Sequence, residues 1–300
     1  MAERDEGLAH RIAVEHGMVG ATMTSLAGTG LVNHVFRATA ADRSWVVRFA
    51  LDPREANEYD VEAWAMSAAR GAGMPVDEVV AHGVLDSVPY LVQEYVAPEG
   101  ALADPWTTLG GFARDIAGIP IGKDAPDALF SRFGRDLRAA WQEHIAYNLA
   151  ALDADPLVAA GVYHPDLLPR IQDDLAFLAG FPFDFGLAHG DLAPRNLIPQ
   201  AHGRAVLIDW ENASTGPTPW TDCLRVFEWA VAAEDGDLEA FARFVAAAGL
   251  EVDAAAPIVE RMLVLQLLDV TRWAADRRPD LFEKHRNAAA EGIAASYRRR

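Results

Sequence analysis

The sequence predicts an α+β protein. A small antiparallel sheet with one long helix occupies residues 1–97, and a mostly helical remainder occupies 98–300. Three observations lead there. Between residues 21 and 96, short runs rich in Val, Phe, Trp and Tyr alternate with polar turns, the texture of paired strands. From residue 102 onward the texture becomes long amphipathic, alanine-rich stretches suited to helices. Pro98-Glu-Gly100 punctuates the change.

The elements follow in order. Residues 5–17 read as a short amphipathic helix, with Leu8, Ile12 and Val14 on or near one face. Residues 25–39 read as strand, glycine-containing loop and strand, and the loop carries Gly28, Thr29, Gly30 and Asn33. Gly28 and Gly30 permit a backbone that closes over phosphates and offers its N–H groups, although a Gly-x-Gly also serves in ordinary turns. A polar turn at 41–44 leads to a strand at 45–49, and 54–73 is a long helix ending in Gly73. Residues 79–84 and 89–96 pair across 85–88. Helices follow at 106–117, 135–152, 166–179, 220–233, 238–248, 254–275 and 281–297, with 119–126 as a linker. The basic end, 296–300, reads as a frayed tail.

Composition narrows the function classes. Apolar residues make up 51% and charged residues 23%, an ordinary globular balance. The formal net charge of −18 opposes general nucleic-acid binding, which sets Lys and Arg against phosphates. It would steer a cationic small molecule inward, or simply solvate the surface. The single Cys223 excludes an internal disulfide and suits a reducing cytoplasm. The N-terminus lacks the layout of a signal peptide, and no apolar run of about 18 residues suggests a membrane span. A cytoplasmic location is therefore expected.

The chemistry concentrates in residues 187–196, Leu-Ala-His-Gly-Asp-Leu-Ala-Pro-Arg-Asn, and 205–210, Ala-Val-Leu-Ile-Asp-Trp. Pro194 breaks any continuous helix between Asp191 and Asn196, so the first stretch is a loop. The second runs four apolar residues into Asp209, as a short buried strand delivers a carboxylate at its end. Phosphoryl transfer needs this trio. One Asp accepts a hydroxyl proton, while an Asn and a second Asp offer hard oxygen ligands to Mg²⁺ beside a nucleotide such as ATP or GTP. His189 fits a loop brace better than an acid–base group.

His189-Gly-Asp191, with Asn196 five residues after the Asp and Ile208-Asp-Trp210 beyond it, resembles the catalytic core of the aminoglycoside phosphotransferase and choline-kinase-like family. The resemblance implies a bilobal protein-kinase-like fold, with an N-lobe over 1–97 and a helical C-lobe over 98–300. It implies Asp191 as catalytic, Asn196 and Asp209 as metal ligands, and Arg48 where the family usually carries a strand Lys. It also implies Glu62 as the helix partner of Arg48, with Glu58 one turn earlier as competitor. By the same likeness the strand ending near Val96 is the hinge: Glu94 and Val96 face a purine edge and Gln93 backs the base pocket. The acceptor site would draw on Glu228, Asp269 and Arg195, and Trp273 could join Trp220 and Trp229 in an aromatic cage for choline. Asp222 would cap the helix after a family turn.

The partners so implied are a nucleoside triphosphate and a small molecule with a hydroxyl acceptor. Antibiotics are expected first, aminoglycosides by default, with nucleoside or peptide antibiotics also open. A metabolic kinase of choline, homoserine or a sugar is the second expectation, and a nucleotide-binding pseudokinase the third. Asp184-Phe-Gly186 spells the kinase metal motif but precedes the catalytic loop, and is set aside.

Overall fold

A computed structural model describes residues 2–26, 34–51, 56–231 and 237–300. The first helix, α1 (Ala2–Glu15), starts earlier than its sequence periodicity suggests. Then come β1 (Thr22–Ser25), β2 (His34–Ala40), β3 (Arg43–Phe49), α2 (Ala56–Gly71), β4 (Val79–Leu85) and β5 (Val88–Glu94). The five strands form one antiparallel sheet in the order β1-β2-β3-β5-β4. Two-residue turns join β2 to β3 and β4 to β5. Asp86 and Ser87 both take positive φ, which matches the right-handed twist of β4 and β5. Ala41 does the same at the β2–β3 turn.

Strand alternation decides what each face carries. Trp45, Val47 and Phe49 of β3 and Tyr90 and Val92 of β5 point to one face, where Leu8, Ala9, Ile12 and Ala13 of α1 cover them. Val14 does not join them; it is 41% exposed, because two residues beyond Ile12 the helix has turned about 200° away. The opposite face carries Leu91, Gln93 and Arg48, and there Ala50, Tyr59 and Ala63 close a second cluster beside α2. Gly73 ends α2 in left-handed backbone: its N–H bonds to the Arg70 carbonyl and that of Met74 to Ala69. That turn directs the chain into β4.

Contacts divide the chain into two compact units, and a single boundary near 98–100 does not reproduce the division. The first unit holds 1–105, 118–129 and 189–214, so the stretch from His189 to Ser214 groups with the sheet. Hydrogen bonds account for this. A short hairpin, Leu197–Pro199 with Ala205–Leu207, receives the Glu99 N–H on the Pro199 carbonyl. Leu207 donates back to Pro75, next to a parallel bridge between Val76 and Leu207.

The second unit holds 106–117, 130–188 and 215–300. It contains α3 (Pro105–Ala117), α4 (Leu137–Ala151), the one-turn α5 (Pro156–Ala159), α6 (Leu168–Gly180), α7 (Trp220–Ala230), α8 (Leu238–Ala247), α9 (Val252–Arg277) and α10 (Pro279–Arg299). Strands Asp184–Ala188 and Ser214–Thr218 pair within it. The long α9 is its spine, burying Ile258, Val259, Met262, Leu263, Leu265 and Leu268. The C-terminus is not frayed. Arg300 forks onto Asp174 at 2.8 Å through two nitrogens, and the Tyr297 hydroxyl donates to the same carboxylate at 2.7 Å. Arg299 reaches Glu260 at 2.5 Å, and Arg261 lies 3.1 Å from Asp174. The tail's cations are held because buried Asp174 and Glu260 need them. Among the described residues, no helix is long and apolar enough to cross a membrane.

Candidate active site

The loop at 187–196 is held by His189. Its ring is fully buried beside Trp210, with centroids 4.7 Å apart. Nδ1 accepts the Asp191 N–H at 3.2 Å, and Nε2 lies 3.2 Å from the Ile208 carbonyl, which it can reach only as a donor. Burial lowers the imidazole pKa to about 4, so the ring is neutral near pH 7 and fits a brace. Gly190 is required by space and backbone alike: its φ is +80°, and a Cβ there would meet the Asn212 carbonyl oxygen at 2.1 Å.

Asp191 emerges from this brace with both carboxylate oxygens engaged. One nitrogen of Arg195 lies 2.8 and 2.6 Å from Oδ1 and Oδ2. The Asn196 amide donates to the Asp191 carbonyl at 2.8 Å and to Oδ2 at 3.0 Å. Arg195, expected as a substrate contact, thus lies against the expected catalytic carboxylate. A single helical turn, Pro194–Asn196, presents Arg195 and Asn196 together.

Asn196 is buried, and its N–H donors are spent on Asp191, which leaves its amide oxygen as the open electron-pair donor. The Ile208 N–H bonds to the Asn196 carbonyl at 3.0 Å, tying the loop to the strand that leads into Asp209. Asp209 itself has φ +71°, a left-handed conformation uncommon outside glycine, and its side chain is about one-third exposed. An amide oxygen and an open carboxylate are a donor set that suits Mg²⁺, which takes few protein ligands and completes its shell with water and phosphate.

Arg48 and Glu62 meet as the sequence suggests. Arg48 Nη1 donates to Glu62 Oε1 at 2.5 Å, and both side chains are buried. Glu58, the competitor, is exposed. Strand alternation points Arg48 toward α2, and Glu62 sits on the helix face that covers it. A partner not anticipated from sequence is Glu211, which takes Arg48 Nη2 at 2.9 Å, while Asp209 lies 3.6 Å from the same nitrogen. The planar fork of Arg reaches two acceptors at once, where Lys would offer a point charge. Burial works to lower the Arg48 pKa, but Glu62, Asp209 and Glu211 more than reverse it, so the guanidinium stays charged.

Asp77 is a second missed carboxylate. It is buried between α2 and β4, and its Oδ1 has no hydrogen-bond partner. Burial, with repulsion from Glu62, raises its pKa to about 7. The only sequence signal was a charged residue following Pro75-Val76, in a stretch that otherwise reads as a buried connection.

The remaining expected residues are dispersed. Gln93 is buried and donates to the Met66 sulfur at 3.2 Å, on the same sheet face as Arg48. The Glu94 N–H is taken by the Glu78 carbonyl at 2.8 Å, and Val96 lies past the strand end. Gly28, Thr29, Gly30 and Asn33 lie outside the described residues.

In the helical unit, Glu228 is held by Arg225 and Gln266, each at 3.0 Å. Asp269 lines a cavity, whereas Trp273 does not. The Trp residues do not gather into a cage: Trp220 is buried against Phe181 and Phe183, and Trp229 is nine residues along the same helix, about 13.5 Å away on its axis. Asp222 lies inside the first turn of α7 and not at its N-cap, which is Pro219.

Comparison with known proteins places this geometry. A family model described as "Phosphotransferase enzyme family" (APH) matches residues 24–258. No curated protein sequence matches. Among solved structures, the chain is similar to the macrolide 2'-phosphotransferase MphH from Brachybacterium faecium, with 18% identity, a TM-score of 0.65, and 97% of this chain and 98% of that one covered. It is also similar to wild-type aminoglycoside 2'-phosphotransferase-IIIa in its GDP complex, at 16% identity and a TM-score of 0.62 over 97% and 99% of the two chains. A ternary complex of streptomycin, ATP and APH(2")-IIa matches at 15% identity and a TM-score of 0.61 over 94% and 97%. At these identities the likeness establishes the fold, which is protein-kinase-like.

Proposed function

The chain belongs to the phosphotransferase enzyme family, and from that premise we propose that it moves the γ-phosphoryl group of ATP or GTP to a hydroxyl of an antibiotic. The observation that carries this reading is the convergence of Asp191, Asn196 and Asp209 on one braced loop and strand end, beside the buried Arg48–Glu62 pair.

The division of labour is as follows. Asp191 orients the acceptor hydroxyl and takes its proton as the phosphoryl group arrives. For that, Arg195 gives up one of the two oxygens it now covers, while Asn196 keeps the carboxylate aimed. Asn196 Oδ1 and Asp209 would hold Mg²⁺, which supplies charge neutralisation at the phosphates when bound. Arg48, anchored by Glu62 and Glu211, presents a fixed positive charge to the α and β phosphates. Glu94 and Val96 offer backbone groups to the base, and Gln93 closes the back of that pocket. Catalysis of this kind is mostly positioning and electrostatics, so the rigidity of the His189 brace matters as much as the reactive groups.

The test is nucleoside diphosphate release from Mg-ATP and Mg-GTP against hydroxylated antibiotics, with mass addition to locate the phosphate. Expected is turnover with one antibiotic class. Phosphate transfer only to choline, homoserine or a sugar would replace the antibiotic reading. Nucleotide binding without any transfer would replace the enzymatic one.

A further inference from the structure

The helical unit contains a cavity of about 280 Å³. Its wall is apolar along most of its length, formed by Trp141, Phe185, Leu224, Met262, Leu265 and Val270. These come from α4, α7, α9 and the strand Asp184–Ala188, which in the sequence runs directly into His189. A further stretch of wall, 215–217, follows Asp209 by six residues. The strand running into His189 and the stretch that follows Asp209 are therefore also walls of this cavity.

Two polar side chains on the wall are tied to neighbouring groups of the chain. Thr221 donates to the Pro217 carbonyl at 2.8 Å, and Gln266 to Glu228 at 3.0 Å. Asp269 is the one carboxylate on the lining. Its Oδ1 accepts from Arg132 at 3.1 Å and from Asn148 at 3.3 Å, and His144 lies 3.4 Å from Oδ2. Asn148 is fixed in turn by buried Arg272, which also pairs with Asp155. Arg132 lies over the rings of Phe133 and Tyr147, which keeps its guanidinium beside Asp269. The carboxylate is thus already balanced by groups of this chain.

Resting on the phosphotransferase reading above, we infer that this cavity takes the body of the acceptor, and that the acceptor is a largely apolar hydroxyl compound with at most one cationic centre, not a polycationic aminosugar. A polyamine loses water from each ammonium group on binding and needs a carboxylate for each. This wall offers none that is unbalanced. An apolar body gains by covering the aromatic and aliphatic wall, and Asp269, already paired, adds at most one hydrogen bond. The chain's acidic surface can draw a cation from afar, but contact with the wall decides what stays.

The full-length protein is titrated by calorimetry with erythromycin, an apolar macrolactone with one tertiary amine, and with gentamicin, a polyamine; diphosphate release from Mg-ATP is followed with each. Expected is binding of erythromycin, weakened at least about tenfold in Kd and KM by Val270→Glu, which puts a charge on the half-buried apolar wall, and retained by Val270→Leu. Circular dichroism confirms that each variant folds; should Val270→Glu not, Leu137→Glu on the α4 wall takes its place. Gentamicin bound more tightly than erythromycin overturns the inference, and diphosphate release with gentamicin would still uphold phosphoryl transfer. Erythromycin binding that ignores the wall variants, or no binding of either compound, also overturns it. Wall-sensitive binding with no diphosphate release from either compound upholds the cavity's chemistry and counts against the phosphotransferase reading instead.

Discussion

Around Arg48 three carboxylates face one guanidinium, whereas around Asp269 a guanidinium, an amide and an imidazole face one carboxylate. The first cluster carries surplus negative charge at the edge where Asp209 is exposed, which suits a site that gains a divalent cation and a polyphosphate together. The second is balanced within the chain, and the wall beside it is apolar. On the proposed reading, the first cluster exchanges charge with its ligands, while the cavity beside the second covers a ligand's surface and adds little charge of its own.

The sharpest way to separate the two regions is Asp191→Asn. It removes the proposed proton acceptor and keeps the shape, so kcat should fall about 10²–10⁴-fold while erythromycin binding stays within error. A matching loss of acceptor affinity would show that the two regions cannot be treated apart.

Next in size is Glu62→Ala, read by chemical denaturation. Breaking a buried pair costs about 3–5 kcal/mol, and the lower end is expected because Glu211 and Asp209 still face Arg48. Retention of full stability would mean that Glu211 alone satisfies the guanidinium.

Asp77 tests the surplus of negative charge through pH. Its folded-state pKa, raised to about 7, lies above the ordinary carboxylate value, so the folded protein holds this proton more tightly than the unfolded chain. Its contribution is therefore full below about pH 4 and is lost as pH rises through about 7, by up to roughly 4 kcal/mol at about 1.4 kcal/mol per pH unit. Asp77→Asn should flatten the stability profile between pH 4 and 7 and leave the variant more stable than wild type at pH 8. A profile unchanged by the substitution would remove Asp77 from the account.

Two smaller effects complete the set. Arg195→Ala should change stability by no more than about 1 kcal/mol, since the cation is half exposed, yet alter kcat about 3- to 30-fold by freeing Asp191. Asp269→Asn should change erythromycin affinity less than about threefold, because its charge is already balanced. A tenfold loss would show that a ligand amine, and not the apolar wall, dominates binding at the cavity.

Much of this was legible in the chain itself. The His-x-Asp loop with Asn196 and the apolar run into Asp209 are local patterns, and so are the helix and strand periodicities and the Gly73 stop. Local chemistry determines them, because a backbone turn or an amphipathic face needs only its neighbours in sequence. The family resemblance rests on the same short stretches. Tertiary structure decided what meets across long separations. Glu211 completes the Arg48 fork from 163 residues away. Asp77 is buried with its Oδ1 left without a hydrogen-bond partner. The terminal arginines, which look like a loose basic tail, are held because Asp174 and Glu260, buried on other helices, need them. Charge pairing at long range depends on which groups folding removes from water, and no local pattern of residues records that.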